Sequence, residues 1–225
     1  MGLKHMKWVH RSIIFSIMAA IFMWISWTPP SHHQAVHFPW QIKVLDTGES
    51  VVFGLTLGQS PLHQALSLID EDLDVAIFEA PNSRLRIEAF YSRFHTGMLK
   101  AKLVLELDLD QAALVGLHRQ YSAHRTPVQY NGFKVPINFK QHPEVLQAPI
   151  VSLTYSPVAK LEADTITTRF GQPAQKIQTT PNESHWLYPD KGLSILRQSK
   201  GKVLFQYVPP KDFQRLVSIA HSEVT

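Results

Sequence analysis

The chain has 225 residues, 44% apolar and 18% charged, with 22 basic and 18 acidic side chains and no cysteine. That length accommodates one large domain or two small ones, each with a core. The missing cysteine excludes disulfides, thiolate metal sites, a cysteine nucleophile and the acylated cysteine of a bacterial lipoprotein. Lys4, Lys7 and Arg11 supply most of the basic excess, so the rest of the chain is nearly neutral and a nucleic-acid-binding body is disfavoured.

Residues 12–28 carry no charge and are mostly apolar. At about 1.5 Å of rise per residue they reach across a bilayer as a helix. Trp8, Trp24 and Trp27 stand near the ends of this run, where amphipathic rings favour the headgroup region. The three basic residues precede it, which predicts a cytoplasmic N-terminus and a body on the far side of the membrane. The competing reading is a cleaved signal peptide cut after Ser26-Trp27-Thr28, although Pro29 would make a poor cleavage site. A helix buried in a globular body is the third. Residues 29–39 form a Pro-rich linker containing His32, His33 and His37, the candidate metal ligands for Zn²⁺ or Cu²⁺. The alternative is a solvated tether, because an extended linker fixes no coordination geometry and offers no nearby carboxylate.

The first half of the body, residues 40–121, opens with apolar runs at 40–45 and 50–55 around Asp46-Thr47-Gly48-Glu49, a hairpin pattern. Ser60-Pro61 is a helix start, followed at helical spacing by Leu62, Ala65, Leu66 and Ile69. The acids Asp70, Glu71, Asp72 and Asp74 lack the register of a calcium loop and read as a solvated turn. Three strands follow, at 74–79, 84–91 and 103–109. Leu85, Ile87, Ala89 and Tyr91 alternate with Arg84, Arg86 and Glu88, and Leu103, Leu105, Leu107 and Leu109 alternate with Val104, Glu106 and Asp108, so each strand has one buried and one wet face. Arg84, Arg86 and Arg93 fall on the wet side, offset by Glu88 and Glu106. Residues 110–121 return to helical period, with His118 and His124 read as surface residues.

Residues 122–149 are punctuated by Pro127, Pro136, Pro143 and Pro149, and Tyr130-Asn131-Gly132-Phe133 predicts a hairpin. A loop of this kind on a rigid scaffold is a candidate interaction surface, formed by Tyr130 and Phe133 together with Arg84 and Arg86. In residues 150–225, a strand at 150–155 leads to Ser156-Pro157, a second helix start, and the helix ends at Phe170-Gly171. Strands are expected at 175–180, 185–188, 193–197 and 203–207, with Trp186 and Tyr188 sharing a core face. A last helix after Pro209-Pro210 presents Phe213, Leu216, Val217 and Ala220 as one stripe. Shifting one half onto the other by about 100 residues superposes these features. The expected fold class is α+β: an N-terminal transmembrane helix followed by two similar α-β-β-β(-α) modules with antiparallel sheets.

Arg169-Phe170-Gly171-Gln172-Pro173, His185-Trp186-Leu187-Tyr188-Pro189 and the closing stretch from Gln206 to Phe213 resemble a family of uncharacterised proteobacterial envelope proteins. More distantly, a helix ending in Phe-Gly-x-Pro before an aromatic strand is similar to the BamE/SmpA lipoproteins, small α+β modules that contact other proteins in outer-membrane assembly. The chain departs from these in lacking the lipidated cysteine, in its expected anchor and in its length. The resemblance implies a fold and an interaction role.

No nucleophile elbow, phosphate loop, dinucleotide fingerprint or His-Glu-x-x-His is present. His95 and His185 are the candidates for catalysis should a carboxylate lie beside either. The expectation is a non-catalytic, single-pass inner-membrane protein without a cofactor, its body in the periplasm and its partners other envelope proteins. The alternatives are a small-ligand or lipid-binding domain and a hydrolase.

Overall fold

The chain enters its fold through a short meander of β1 (Lys43–Val44), β2 (Ser50–Val52) and β3 (Leu55–Thr56) in a computed structural model that describes residues 37–80, 84–128 and 132–222. Val52 pairs with Leu55, so Phe53-Gly54 is a two-residue turn with φ of +52° and +79°. A left-handed phenylalanine is sterically costly. It is held here because its ring is buried against Phe94 and Tyr155, with centroids 5.1 and 5.4 Å away.

Helix α1 (Leu62–Leu68) follows, then β4 (Leu73–Glu79), β5 (Arg86–Thr96) and β6 (Leu99–Leu107) as an antiparallel meander. The alternation of the sequence is what is observed: Ile87, Ala89, Tyr91, Leu103, Leu105 and Leu107 are all buried on one face. A register shift between Tyr91 and Phe94 lets the longer β5 keep Phe94 and Thr96 on that face. Helix α2 (Gln111–Tyr121) begins where Asp110 accepts hydrogen bonds from the Ala112 and Ala113 amides. The middle contributes a hairpin of β7 (Thr126–Val128) and β8 (Gly132–Pro136), and a short helix α3 (Pro143–Gln147). Val128 pairs with Gly132, so Gly132 belongs to the strand and the connection is residues 129–131, which lie outside the described residues.

Strand β9 (Ile150–Pro157) and helix α4 (Ala163–Phe170) open the second half. The meander of β10 (Gln175–Thr180), β11 (Glu183–Tyr188), β12 (Leu193–Gln198) and β13 (Val203–Tyr207) completes the sheet, and α5 (Gln214–Ser222) follows. Trp186 is buried as expected, with the Lys176 ammonium 3.9 Å and the Arg197 guanidinium 4.7 Å from its ring centroid.

The strand order is β10-β11-β12-β13-β9-β6-β5-β4-β8-β7, antiparallel throughout. This corrects the expected fold class of two α-β-β-β(-α) modules. The chain is mostly β, and one ten-stranded sheet runs through both halves, because β9 is hydrogen-bonded to β13 on one side and to β6 on the other. The same pairing overrides the helix start read at Ser156-Pro157. Ser156 and Pro157 extend β9 along β6, while the β13 pairing has already stopped at Tyr155. Pro157 thus sits at a strand end where its missing N–H costs nothing. The expected transmembrane segment, residues 12–28, lies outside the described residues; among those described, no helix is long and apolar enough to cross a membrane.

Helices α1, α2 and α4 and the small meander cover one face of the sheet and close the main core. Tyr155 lies near its centre, stacked on Phe205 at 5.7 Å and packed on Phe53 and Phe94. Helix α5 packs on the opposite face, where Phe213 and Leu216 meet Leu187 and Val208. The small meander is fastened by the Tyr207 hydroxyl, which donates to the Pro39 carbonyl at 2.9 Å, and by a Lys211–Glu49 ion pair. The hydrogen bonds from Lys211 and Thr47 hold the Glu49 carboxyl down at about 2.

Tyr155→Ala is expected to cost about 3–5 kcal/mol, read by urea unfolding, and far-UV and tryptophan signals should report one shared transition. Glu49 has a lowered folded pKa, so its contribution is complete above the ordinary carboxyl pKa of 4.5 and is lost as pH falls toward about 2. Lys211→Met is accordingly expected to lower the urea midpoint at pH 7 and to leave it nearly unchanged at pH 2.

Candidate functional site

The face of the sheet that α5 leaves open carries the side chains alternating with the core. Cross-strand register places Ala76, Glu88, Glu106 and Ser152 in one rung. Asp74, Phe90, Val104, Thr154 and Gln206 form the next, and Lys134, Phe78 and Arg86 a third. Period two turns these residues away from the core, yet Phe78, Phe90 and Val104 are apolar and half-buried, so the face is not simply a solvated surface.

Helix α5 forms one wall. The prolines at 209 and 210 end the β13 segment, and the apolar stripe then lays the helix on β11 and β10 rather than over the middle of the sheet. Two clefts result. One, of about 320 Å³, runs between the wall residues Arg215, Leu216 and Ile219 and the floor of β5, β6, β9 and β13. The other, of about 240 Å³, lies over β4, β5 and β8 and is lined by Asp74, Ala76, Phe78, Phe90 and Lys134. Glu88 and Val104 line both, so the clefts form one groove across the strands.

Two of the groove's carboxylates, Glu88 and Glu106, are directly opposed across β5 and β6 but are treated differently. Glu106 accepts from the Ser152 hydroxyl at 2.7 Å and from Arg215 Nη2 at 3.1 and 3.2 Å, one contact to each oxygen. Glu88 accepts no hydrogen bond from any described residue. Burial pushes its carboxyl above the usual range; the charges of Arg86 and Lys134 pull the other way, and Glu106 adds to the rise.

Of the residues expected to form an interaction surface, Arg86 stands in this groove. Phe133 faces the other side of the sheet, under the Arg125 guanidinium 4.0 Å from its ring centroid. Arg84 is exposed ahead of β5, and Tyr130 lies outside the described residues. The structure therefore does not bring these four together on one patch. Among the candidate metal ligands, His32 and His33 also lie outside the described residues. His37 uses its carbonyl to accept from Thr96 Oγ1 at 2.6 Å, and no group of three or more potential metal ligands occurs among the described residues.

Three of the described histidines, His95, His118 and His142, contact carboxylates. His95 Nδ1 is 2.6 Å from Glu71, which belongs to the acidic turn, and Arg93 pairs with Asp72 in the same turn at 3.2 Å. His118, expected on the surface, instead contacts Glu79 at 3.1 Å and is half-buried. Tyr121 Oη, His142 Nε2 and Nδ1, and Glu144 form a short relay with steps of 3.0 and 3.1 Å. The relay joins the end of α2 to the start of α3, and neither cleft of the groove includes it. His185 contacts Ser194 Oγ at 3.1 Å, but both are buried on the α5 side of the sheet with no cleft of the groove reaching them.

Reasoning from sequence missed Glu88, Phe90, Val104 and Glu106 as a site because polar residues dominate that face. The available signal was the pair Phe90 and Val104, two apolar side chains on otherwise wet positions of neighbouring strands. Since the folded pKa of Glu88 is raised, its charge costs stability as pH climbs through that value, and the cost fades toward pH 4.5. Glu88→Gln is expected to stabilise the protein by up to about 1 kcal/mol at pH 8, with the gain vanishing near pH 4 in parallel denaturation curves.

No family model, curated protein or solved structure matches this chain, so its function is argued from the groove itself.

Proposed function

We propose that the chain is a non-catalytic binding module of the cell envelope, and that it receives a segment of another envelope protein in the groove between α5 and β8. In this reading residues 12–28 anchor it in the inner membrane, with the body in the periplasm. The observation that carries the binding role is the groove floor, where half-buried Phe78, Phe90 and Val104 surround a carboxylate that accepts no hydrogen bond from any described residue. Folding alone gains nothing from that arrangement, and functional sites are where such local costs concentrate. The non-catalytic part is supported by the histidine geometry: His185 and Ser194 are closed off from the groove, and His95 bridges to a surface turn.

The small-ligand alternative draws on the same groove. Its two clefts, of about 240 and 320 Å³, are parts of one groove running across the strands, whereas small-ligand pockets enclose most of the ligand's surface. An elongated groove favours side chains of a larger partner over a wholly enclosed molecule.

A photo-crosslinking residue placed at Val104 or Phe90 in cells is expected to yield a discrete protein adduct. The same probe at Val115, exposed on α2 on the other side of the sheet, should yield none. Equal adducts from Val115, or no protein adduct from the groove, would overturn the reading.

A further inference from the structure

We infer that the apolar end of the groove is a side-chain pocket for one long cationic residue of the partner polypeptide, arginine or lysine, whose aliphatic stem lies on Phe78, Phe90 and Val104 and whose head group meets the Glu88 carboxylate. This rests on the reading of the groove as a protein-binding site and names what is bound there.

Three observations converge on it. The first is the inventory of donors. Glu106, next to Glu88 across the strands, is already satisfied by Arg215 and Ser152, whereas Glu88 accepts no hydrogen bond from a described residue. A carboxylate accepts at both oxygens, so it is complete only when donors arrive from outside. The second is sign. The charged groups facing Glu88 are Arg86 on its own strand, Glu106 on β6, Lys134 on β8 and, along the same cleft, Asp74 on β4. Arg215 neutralises Glu106, so the apolar cleft itself holds two acids, Asp74 and Glu88, against one base, Lys134, with Arg86 lining the neighbouring cleft. The third is shape. Room for about 240 Å³ corresponds to roughly eight waters, enough for one extended side chain. The walls are apolar at Ala76, Phe78, Phe90 and Val104, acidic at Asp74 and Glu88, and basic at Lys134. Long cationic side chains have this same division, an apolar stem and a charged tip.

A hydrogen-bonded ion pair in a partly desolvated site is stronger than one in water. A partner residue that pairs with Glu88 also relieves the cost of burying it. The raised proton affinity of Glu88 gives binding a pH dependence: the pocket is competent only when the carboxyl is ionised, so affinity rises as pH rises through its folded value.

The test uses the full chain with isotope-labelled valine methyls and two capped amino acids as probes. N-acetyl-arginine methylamide carries the cation, and its citrulline counterpart is neutral and nearly the same shape. Arginine is expected to shift the Val104 methyls in a saturable way, with citrulline at least about tenfold weaker. Glu88→Gln should bring arginine down to the citrulline level while leaving citrulline unchanged. Because Glu88 accepts no hydrogen bond from a described residue, this variant is expected to fold, and unperturbed methyl shifts elsewhere verify that. Citrulline binding as tightly as arginine, Glu88→Gln binding arginine like the parent, or Val104 methyls that do not move would each overturn the assignment. The outcome is separable from the fate of the broader reading. Protein adducts at Val104 combined with equal arginine and citrulline binding leave the groove a protein site and remove the cation pocket. Selective arginine binding without adducts supports the cation pocket and removes the protein partner.

Discussion

Strand β9 is the member on which the architecture depends. It pairs with β6 through seven residue pairs and with β13 through three, and among the described residues it is the only strand joining the meander of the first half to that of the second. Its core-facing Tyr155 touches aromatic rings from β5, from β13 and from the Phe53 turn. Backbone pairing and aromatic packing therefore act at the same place. A sheet built this way has no seam at which two modules part, and the core beneath it is one contiguous cluster. The second face inherits the continuity: a groove can cross the strands from α5 to β8 because β9 fills the gap between the halves.

Much of the local structure was legible in the sequence. Alternation located β5, β6 and β13 with the correct faces, the return to helical period at residue 110 and the stop at Gly171 marked a helix start and a helix end, and the Phe213, Leu216, Val217 and Ala220 stripe located α5. These signals are local, with a period or a cap that a few neighbouring residues determine. What was not legible was which strands would pair at long range. Residues 150–157 read as a short strand ending in a helix start, since Ser-Pro is as good an N-terminal signal there as at Ser60-Pro61. Tertiary pairing with β6 decided the matter, and no local pattern encodes a partner about fifty residues away. The extra turn at Phe53-Gly54 escaped for a similar reason: a phenylalanine with positive φ is stable only through rings contributed by β5 and β9.

The groove was half visible. Arg86 was singled out, and it does line the site, but it was grouped with Tyr130, Phe133 and Arg84. Register shows why that grouping fails. Lys134, not Phe133, shares a face with Arg86, since adjacent residues of a strand point to opposite sides of the sheet. Glu88 and Glu106 were read as simple counterweights to the arginines. Their different roles come from Arg215, more than a hundred residues distant, whose position depends on how α5 settles on β11.

That difference between two neighbouring carboxylates is the most informative chemistry in the molecule. Like charges opposed across a strand pair repel, and a fold under selection for stability alone has cheap remedies, such as threonine or glutamine at either position. Here one carboxylate is neutralised with both oxygens occupied, and the other is left half-buried beside apolar side chains without a hydrogen bond from a described residue. The first holds α5 to the sheet and so fixes the wall of the groove. The second faces the space that this wall encloses. An arrangement in which one acid builds the cleft and its neighbour is left open inside it is inefficient as structure, and it becomes economical once a cationic group from another molecule completes it.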